Sequence, residues 1–556
     1  MALVPGLVGA DAGPNPARPR KHYSIEQLMD STSILGGSFS ADEKSFLYTS
    51  NASGVYNVYS VPVAGGKPRA LVLTNERDAK FFDVFRVDAK TYARTLVYKD
   101  EVGYDFRAIS DDGKWLAFVK PVTTSDSNIY LYNVETAKLD LVTKHAGPAQ
   151  YQPQTFDPSS RWLYYTTDEG GEFLRLRRLE LATGTNEDVA RKDWDIVAFE
   201  LSHGGKYQVM RTNVDGHTQV EVADFATGKA LDLPALPDGE VRAAWFSRSE
   251  RKLGLLLTSD RRPAELYVID LAGRTVTRLT DSLNKQIDPD DLVDSKVVRF
   301  TSFDGMSIPN ILFAPLDASA AHKAPALVYV HGGPGGQTRA GYNPLIQYLA
   351  NHGYVILGIN NRGSSGYGKT FFAADDRKHG HEPLDDCVAA KKYLQTLDYV
   401  DPARIGIIGG SYGGYMVLAA LAFRPDEFAV GVDLFGVANW LRVLKSIPPY
   451  WETMRQAIYV EMGDPDKDAA MLASISPLLH TEGIKKPLLV LQGKNDPRVL
   501  EQESADIVAA VKKNGVPVEY VIFPDEGHGF RKKKNEIAGY RKILEFLDRH
   551  LRANPA

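Results

Sequence analysis

Five times between residues 40 and 255 the chain repeats one short phrase: a turn of small and polar residues, a basic residue, then an apolar run. Ser40-Ala41-Asp42-Glu43-Lys44 precedes Phe46-Leu47-Tyr48, and Ser110-Asp111-Asp112-Gly113-Lys114 precedes Trp115-Leu116-Ala117-Phe118. The phrase returns with Arg161 before Trp162-Leu163-Tyr164-Tyr165, Lys206 before Tyr207-Gln208-Val209-Met210, and Arg251 before Leu253-Gly254-Leu255. Such units cannot bury their faces alone, so a chain that repeats them must stack them. The basic residues are spaced by 70, 47, 45 and 45 residues, and the last three intervals match the ~40 to 50 residues of a four-stranded propeller blade. The first interval is too long for one blade and too short for two. Within it, Lys80 to Asp88 reads as blade strands without the turn marker. The spacing therefore predicts a shortened β-propeller of five or six blades over residues 25–290, with one incomplete blade near 65–100.

Past residue 290 the pattern changes to buried strands, Gly-rich turns and amphipathic helices in alternation. Pro325–Val330, Tyr354–Ile359, Arg404–Gly409, Pro487–Gln492 and Val518–Phe523 read as strands with few polar residues, as a sheet covered on both faces requires. Pro383–Leu397 and Gln502–Asn514 have helical spacing. Residues 291–556 are thus predicted to form an α/β domain around a mostly parallel sheet.

Gly409-Gly410-Ser411-Tyr412-Gly413-Gly414 lies between such a strand and a helix. This is the pattern of a nucleophile elbow, in which small neighbours permit a strained serine whose Oγ stands above the sheet. A serine needs an imidazole base and a carboxylate to orient it, and on this fold the order is serine, acid, histidine. Asp496, in Lys494-Asn495-Asp496-Pro497-Arg498, and His528, in Glu526-Gly527-His528-Gly529, each follow a buried strand. Carboxyl ends of such strands are where open α/β sheets place ligands. Asp433 and Asp464 are weaker rivals for the acid, and His480 and His550 read as capping or surface residues. The second requirement is a pair of amides facing the developing oxyanion. Tyr412 supplies one, and Gly333 or its neighbour Gly332, in Val330-His331-Gly332-Gly333-Pro334, supplies the other. His331 reads as a positioning residue of that loop.

These motifs, with Asn361-Arg362-Gly363-Ser364-Ser365-Gly366-Tyr367-Gly368 and the preceding propeller, resemble the prolyl oligopeptidase family of serine peptidases, especially its acylaminoacyl-peptidase-like branch. The resemblance implies an α/β-hydrolase catalytic domain and a propeller that screens short peptides entering a cavity between the domains. It also implies that Arg498 binds a substrate carbonyl, the alternative being a solvated surface arginine, and that Trp440, Tyr450 and Trp451 line an apolar subsite, the alternative being plain core. Dipeptidyl-peptidase relatives hold the substrate's free amino terminus with paired propeller glutamates. No Glu-Glu dipeptide occurs in this chain, so separate acids such as Glu169 and Glu172 would have to substitute. The leading reading is a serine peptidase of acylaminoacyl- or oligopeptidase type working through an acyl-enzyme. A dipeptidyl peptidase, a carboxylesterase and an inactive peptide-binding scaffold are the alternatives.

The remaining features mostly exclude. With 65 basic and 70 acidic side chains there is no overall positive field to attract nucleic acid, and no apolar run is long enough to span a bilayer. Cys387, the only cysteine, reads as a buried structural thiol. No cofactor is implied and no metal site is expected, since His379 and His381 around Gly380 read as a loop. Peptides are the expected partners, with self-association left open. Residues 1–24 carry either the tail of a secretory signal peptide, hence a periplasmic or secreted location, or a disordered leader, hence a cytoplasmic one.

Overall fold

The computed structural model describes residues 21–40, 42–53, 57–66, 70–74, 76–88, 91 and 93–552. The signal-like part of the leader lies outside the described residues. Between Ile34 and Arg278 the chain folds into six small antiparallel sheets with three, three, four, four, three and four strands in chain order. Each repeated turn is the hairpin between the first two strands of its sheet. Residues 157–161, for example, join Tyr151–Phe156 to Trp162–Thr167. The sheet that lacks the marker is Ala70–Thr74, Asp83–Val87 and Arg94–Tyr98, as the long first interval implied. There the buried Asp83 accepts from the Arg77 guanidinium at 2.7 and 2.8 Å and from the Asp100 amide at 2.9 Å.

The polar residues of the repeat also bond neighbouring sheets to one another. Ser160 Oγ accepts from the Asp112 amide, and Glu250 accepts from Ser202 Oγ and the Gly204 amide. Glu43, in the first sheet, accepts from Ser249 Oγ in the last, at 2.7 Å. Apolar packing follows the same ring: Val84 with Phe118, Leu131 with Leu163, Tyr164 with Phe199, Val209 with Leu255, and finally Phe46 with Leu256 and Leu266. The first sheet therefore packs on the sixth, which gives the circular order of a six-bladed propeller among the described residues.

The second domain is built on an eight-stranded sheet. Its order is Ser295–Thr301, Ser307–Phe313, Val355–Ile359, Ala324–Val330, Val400–Gly410, Gly431–Leu434, Leu488–Gly493 and Val518–Phe523. The first strand is antiparallel to the second and the second to Val355–Ile359, while the remaining neighbours are parallel. All five strands read from the sequence are present. The edge hairpin and the four-residue strand Gly431–Leu434 were not read, the latter because it is too short to show a period. Helices cover both faces, so Leu327, Val328, Ile407 and Ile408 are each 0 % exposed, a burial worth roughly 1.5–3 kcal/mol for each such side chain. Cys387 is buried in the helix Glu382–Thr396.

Ion pairs and hydrogen bonds close the seam between the domains. Arg299 grips Asp215 through two bonds of 2.8 Å, Thr370 donates to Glu172, and Gln337 accepts from Asn213. Tyr23, within the expected leader, and Ile25, Leu28 and Met29, within the expected propeller, pack in the hydrolase core with Leu349 and Phe546.

Candidate active site

The strand Val400–Gly410 ends at Ser411, whose φ of 59° and ψ of −117° lead directly into the helix Tyr412–Phe423. A non-glycine residue at such a φ stores about 1–3 kcal/mol of strain and persists only where its surroundings hold it. Here the Ser411 amide donates to the Leu434 carbonyl at 2.9 Å. The flanking glycines are required by space as well. A methyl on Gly413 would lie 2.1 Å from the Val330 carbonyl oxygen, and one on Gly409 would lie 2.6 Å from the Gly413 backbone.

Above this turn, three loops from carboxyl ends of parallel strands meet. His528 Nε2 lies 2.9 Å from Ser411 Oγ, and His528 Nδ1 lies 2.7 Å from Asp496 Oδ2. Asp496, 4 % exposed, also accepts from the amides of Arg498 and Val499 through Oδ1. Those donors fix the carboxylate in place, and with Asp496 as the acceptor at Nδ1 the other ring nitrogen, Nε2, is left to accept from the serine hydroxyl. The rivals lie elsewhere. Asp433 is fully buried inside its strand, where burial raises its carboxyl to about 7, and Asp464 pairs with Lys467. His480 caps a short 3-10 turn and His550 ends the last helix.

Gly332 passes directly over the nucleophile, for a methyl built on it would stand 3.5 Å from Ser411 Cβ. This puts the Gly332–Gly333 peptide beside Ser411 and the Tyr412 amide. His331, beneath the loop, lies 2.8 Å from Ser364 Oγ, which in turn donates to the Asn361 carbonyl. Burial lowers the His331 pKa, which suits a neutral brace rather than a base. The next residue, Arg362, is 3 % exposed and is held by Asp386 and Asp304 at 2.8 to 3.1 Å.

Two features escaped the sequence reading. Phe435 at φ 45° packs its ring on His528, with centroids 4.9 Å apart. Only its position one residue past Leu434 could have hinted at this. The second is a buried cluster behind the elbow. The Tyr412 hydroxyl lies 2.7 Å from His379 Nδ1, and Asp375, His379 and Glu461 bring one ligand atom each within 4.8 Å of one another. Among the described residues this group could hold a metal ion; its sequence signal was the four-residue step from Asp375 to His379. Burial raises Asp375 to about 8 and Glu461 to about 7, and lowers His379 to about 3.

The expected subsite residues separate. Arg498 is exposed and its guanidinium lies 4.9 Å over the Trp451 ring, which meets Tyr450 edge-on. These three lie together beside the triad acid. Trp440 is 5 % exposed in the core, 5.0 Å from the Tyr415 ring. Beyond the oxyanion loop a cavity of about 590 Å³ opens between the domains, lined by Asp168, Glu172, Asp195, Arg211, Arg242 and Arg339 among others. It adjoins the oxyanion loop through the Gly336 carbonyl, which accepts from the amide of the lining residue Ser365. Glu172 is committed to Thr370, and Glu169 pairs with Arg177.

A strained serine, a histidine and a buried aspartate in this geometry, on a parallel sheet beside a propeller, define a serine hydrolase with a cavity between its domains. Residues 341–554 match the model of the prolyl oligopeptidase family. The chain is also 32 % identical over 496 residues to dipeptidyl aminopeptidase BIII of Pseudoxanthomonas mexicana, covering 86 % of this chain and 71 % of that protein. It belongs to the prolyl oligopeptidase family and is a serine peptidase acting on peptides. Among solved structures, a puromycin hydrolase superposes with a TM-score of 0.77 at 20 % identity, covering 94 % of this chain and 87 % of that one. An acylaminoacyl peptidase of Pyrococcus horikoshii superposes with a TM-score of 0.66 at 18 % identity, covering 96 % and 98 %. At these identities the likeness is one of fold.

Proposed function

We propose that the chain is a dipeptidyl aminopeptidase, releasing N-terminal dipeptides from short peptides. The observation that carries the reading is Asp195. It lines the cavity, accepts from the Leu174 amide at 2.8 Å, and has no cation paired with it among the described residues. Burial raises its pKa, and an unpaired carboxylate in such a place attracts the α-ammonium of a peptide. Asp168, beside it, already has Lys369 at 3.7 Å. The similarity to a dipeptidyl aminopeptidase along most of the chain supports the same choice. The acylaminoacyl and oligopeptidase readings share the chemistry and differ in what this cavity admits.

In the proposed mechanism Ser411 Oγ attacks the scissile carbonyl as its proton passes to His528 Nε2. The oxyanion is met by the amides of Tyr412 and Gly333, and Asp496 stabilises the imidazolium. His528 then protonates the departing amine as the C–N bond breaks. Water, activated by the same imidazole, hydrolyses the ester.

A panel of p-nitroanilides tests this: a free-amine dipeptide, an acetylated residue and an internal blocked proline, beside a p-nitrophenyl ester. The expected result is preference for the free-amine dipeptide, lost in Ser411→Ala together with fluorophosphonate labelling. Preference for the acetylated substrate would overturn the dipeptidyl reading, and cleavage of the ester alone would overturn the peptidase assignment of this site.

A further inference from the structure

The cavity that contains an unpaired carboxylate also contains an unpaired guanidinium. Arg339 donates to Gln337 Oε1 at 2.9 Å and to Thr218 Oγ1 at 2.8 Å, and has no carboxylate partner among the described residues. The other two arginines of the lining differ in this respect: Arg211 pairs with Glu200 and Arg242 with Glu240. Half-buried, Arg339 also faces the Arg242 charge. Burial first, and that like charge second, push its pKa below the usual arginine value. A guanidinium so placed is short of an anion, and its planar fork fits a carboxylate.

The sheet that carries these residues sets a distance. Asp195 pairs with Asn213, and Asn213 pairs with Thr218, so the three lie in one row across three strands, and all three line the cavity. Two strand spacings are about 10 Å. Thr218, at the far end of that row, anchors Arg339. An extended chain advances ~3.3 Å per residue, so the row is about as long as the span from the amino group to the carboxylate of a tri- or tetrapeptide.

We propose that Arg339 receives a carboxylate of the bound peptide, so that the cavity binds short peptides by a charge at each end. The inference rests on the assignment of Asp195 to the amino terminus for its length argument. Its charge argument is independent of that assignment. A free C-terminus and an acidic side chain offer the same chemistry, and the row length favours the C-terminus.

The experiment measures kcat/KM on four peptides: an alanine tripeptide as the free acid, the same tripeptide as the C-terminal amide, an amide carrying glutamate at its last position, and the N-acetylated free acid. The natural enzyme is expected to favour the acid over the amide by roughly tenfold or more, the ratio one charge-assisted contact supports. In Arg339→Gln that ratio should fall to about one, and Arg339→Lys should retain part of it. Recovery by the glutamate amide would assign the carboxylate to a side chain, and failure to recover would assign it to the terminus; either supports the proposal. An acid-to-amide ratio near one in the natural enzyme, or a ratio untouched in Arg339→Gln while the variant melts as the natural chain does, would overturn it. Loss of the free-amine preference, read from the N-acetylated against the free-amine acid, fails the Asp195 reading alone, because the acid-to-amide ratio remains measurable on the unacetylated pair.

Discussion

Phe435 lays its ring against the imidazole of His528, with centroids 4.9 Å apart and planes inclined by 62°. The backbone that presents it is held in a left-handed conformation, φ 45°, by a 2.8 Å bond from its amide to the Leu491 carbonyl. Asp496 fixes one edge of the imidazole and Phe435 covers one side of it, so the ring has little freedom except towards Ser411.

Truncation at Phe435 should therefore reduce turnover more than binding. In Phe435→Ala, kcat is expected to fall about tenfold with KM nearly unchanged, since small misplacements of a reacting group can cost up to ~10²-fold. Phe435→Leu should recover part of it. Steady-state kinetics on a single p-nitroanilide would check this, and an effect confined to KM would assign Phe435 to substrate contact instead.

Asp496→Asn should be far more severe. An amide can donate to Nδ1, which would leave the proton on Nε2, the nitrogen that must accept from Ser411. The loss expected in kcat is about 10⁴-fold, the scale found for this exchange in Ser-His-Asp sites. Melting temperature should change little by comparison, because the side-chain volume is kept.

How much of this was legible in the sequence depends on whether the responsible interaction is local. The elbow was, because Gly409, Gly413 and Ser411 answer constraints set within a few residues of each other. The blade turns were legible for the same reason, their Ser, Asp and Glu side chains serving hairpins that repeat. Asp496 and His528 could be placed because each follows a strand buried on both faces, and such strands are apolar throughout. Phe435 could not, since a phenylalanine after a four-residue strand has no pattern, and its contact with His528 spans 93 residues (528 − 435). The opposed charges of Asp195 and Arg339 were hidden similarly. Asp and Arg are common surface residues, and only the way the propeller faces the catalytic domain shows that neither has an oppositely charged partner among the described residues.

Removing Arg362 tests the platform under the oxyanion loop. Arg362 and Asp386 are 3 % and 0 % exposed, and Ser302 Oγ donates to the same carboxylate at 2.6 Å. Arg362→Met leaves a buried carboxylate with no cation, an imbalance that costs about 3–5 kcal/mol. Urea unfolding should register a loss of that order, and adding Asp386→Asn should restore part of it. If the single variant were as stable as the natural chain, Arg362 would have no structural part in holding the Asn361–Gly368 loop.

The cluster behind Tyr412 makes stability depend on pH in a definite direction. Asp375 and Glu461 are raised, first by burial, from 3.8 and 4.5 to about 8 and about 7, the Glu461 charge adding to the shift of Asp375 and the Asp376 charge to both. In the unfolded chain both release their protons near pH 4, whereas the native state retains them until neutrality or beyond. Over that interval these two carboxyls bind more protons in the folded form than in the unfolded one, which lowers stability as pH rises by up to about 1.4 kcal/mol per pH unit for each group. Below pH 6.5 His379, kept neutral by burial, offsets one of them in part, so the cluster's contribution to stability still falls as pH rises. Below pH 4 both states are protonated and the effect vanishes. Melting temperature should accordingly decline from pH 5 to pH 8, and the double variant Asp375→Asn, Glu461→Gln should melt with a shallower pH dependence. A steeper dependence in the variant, or stability of the natural chain that climbs across this range in step with those two carboxyls, would mean that they are ionised in the folded state.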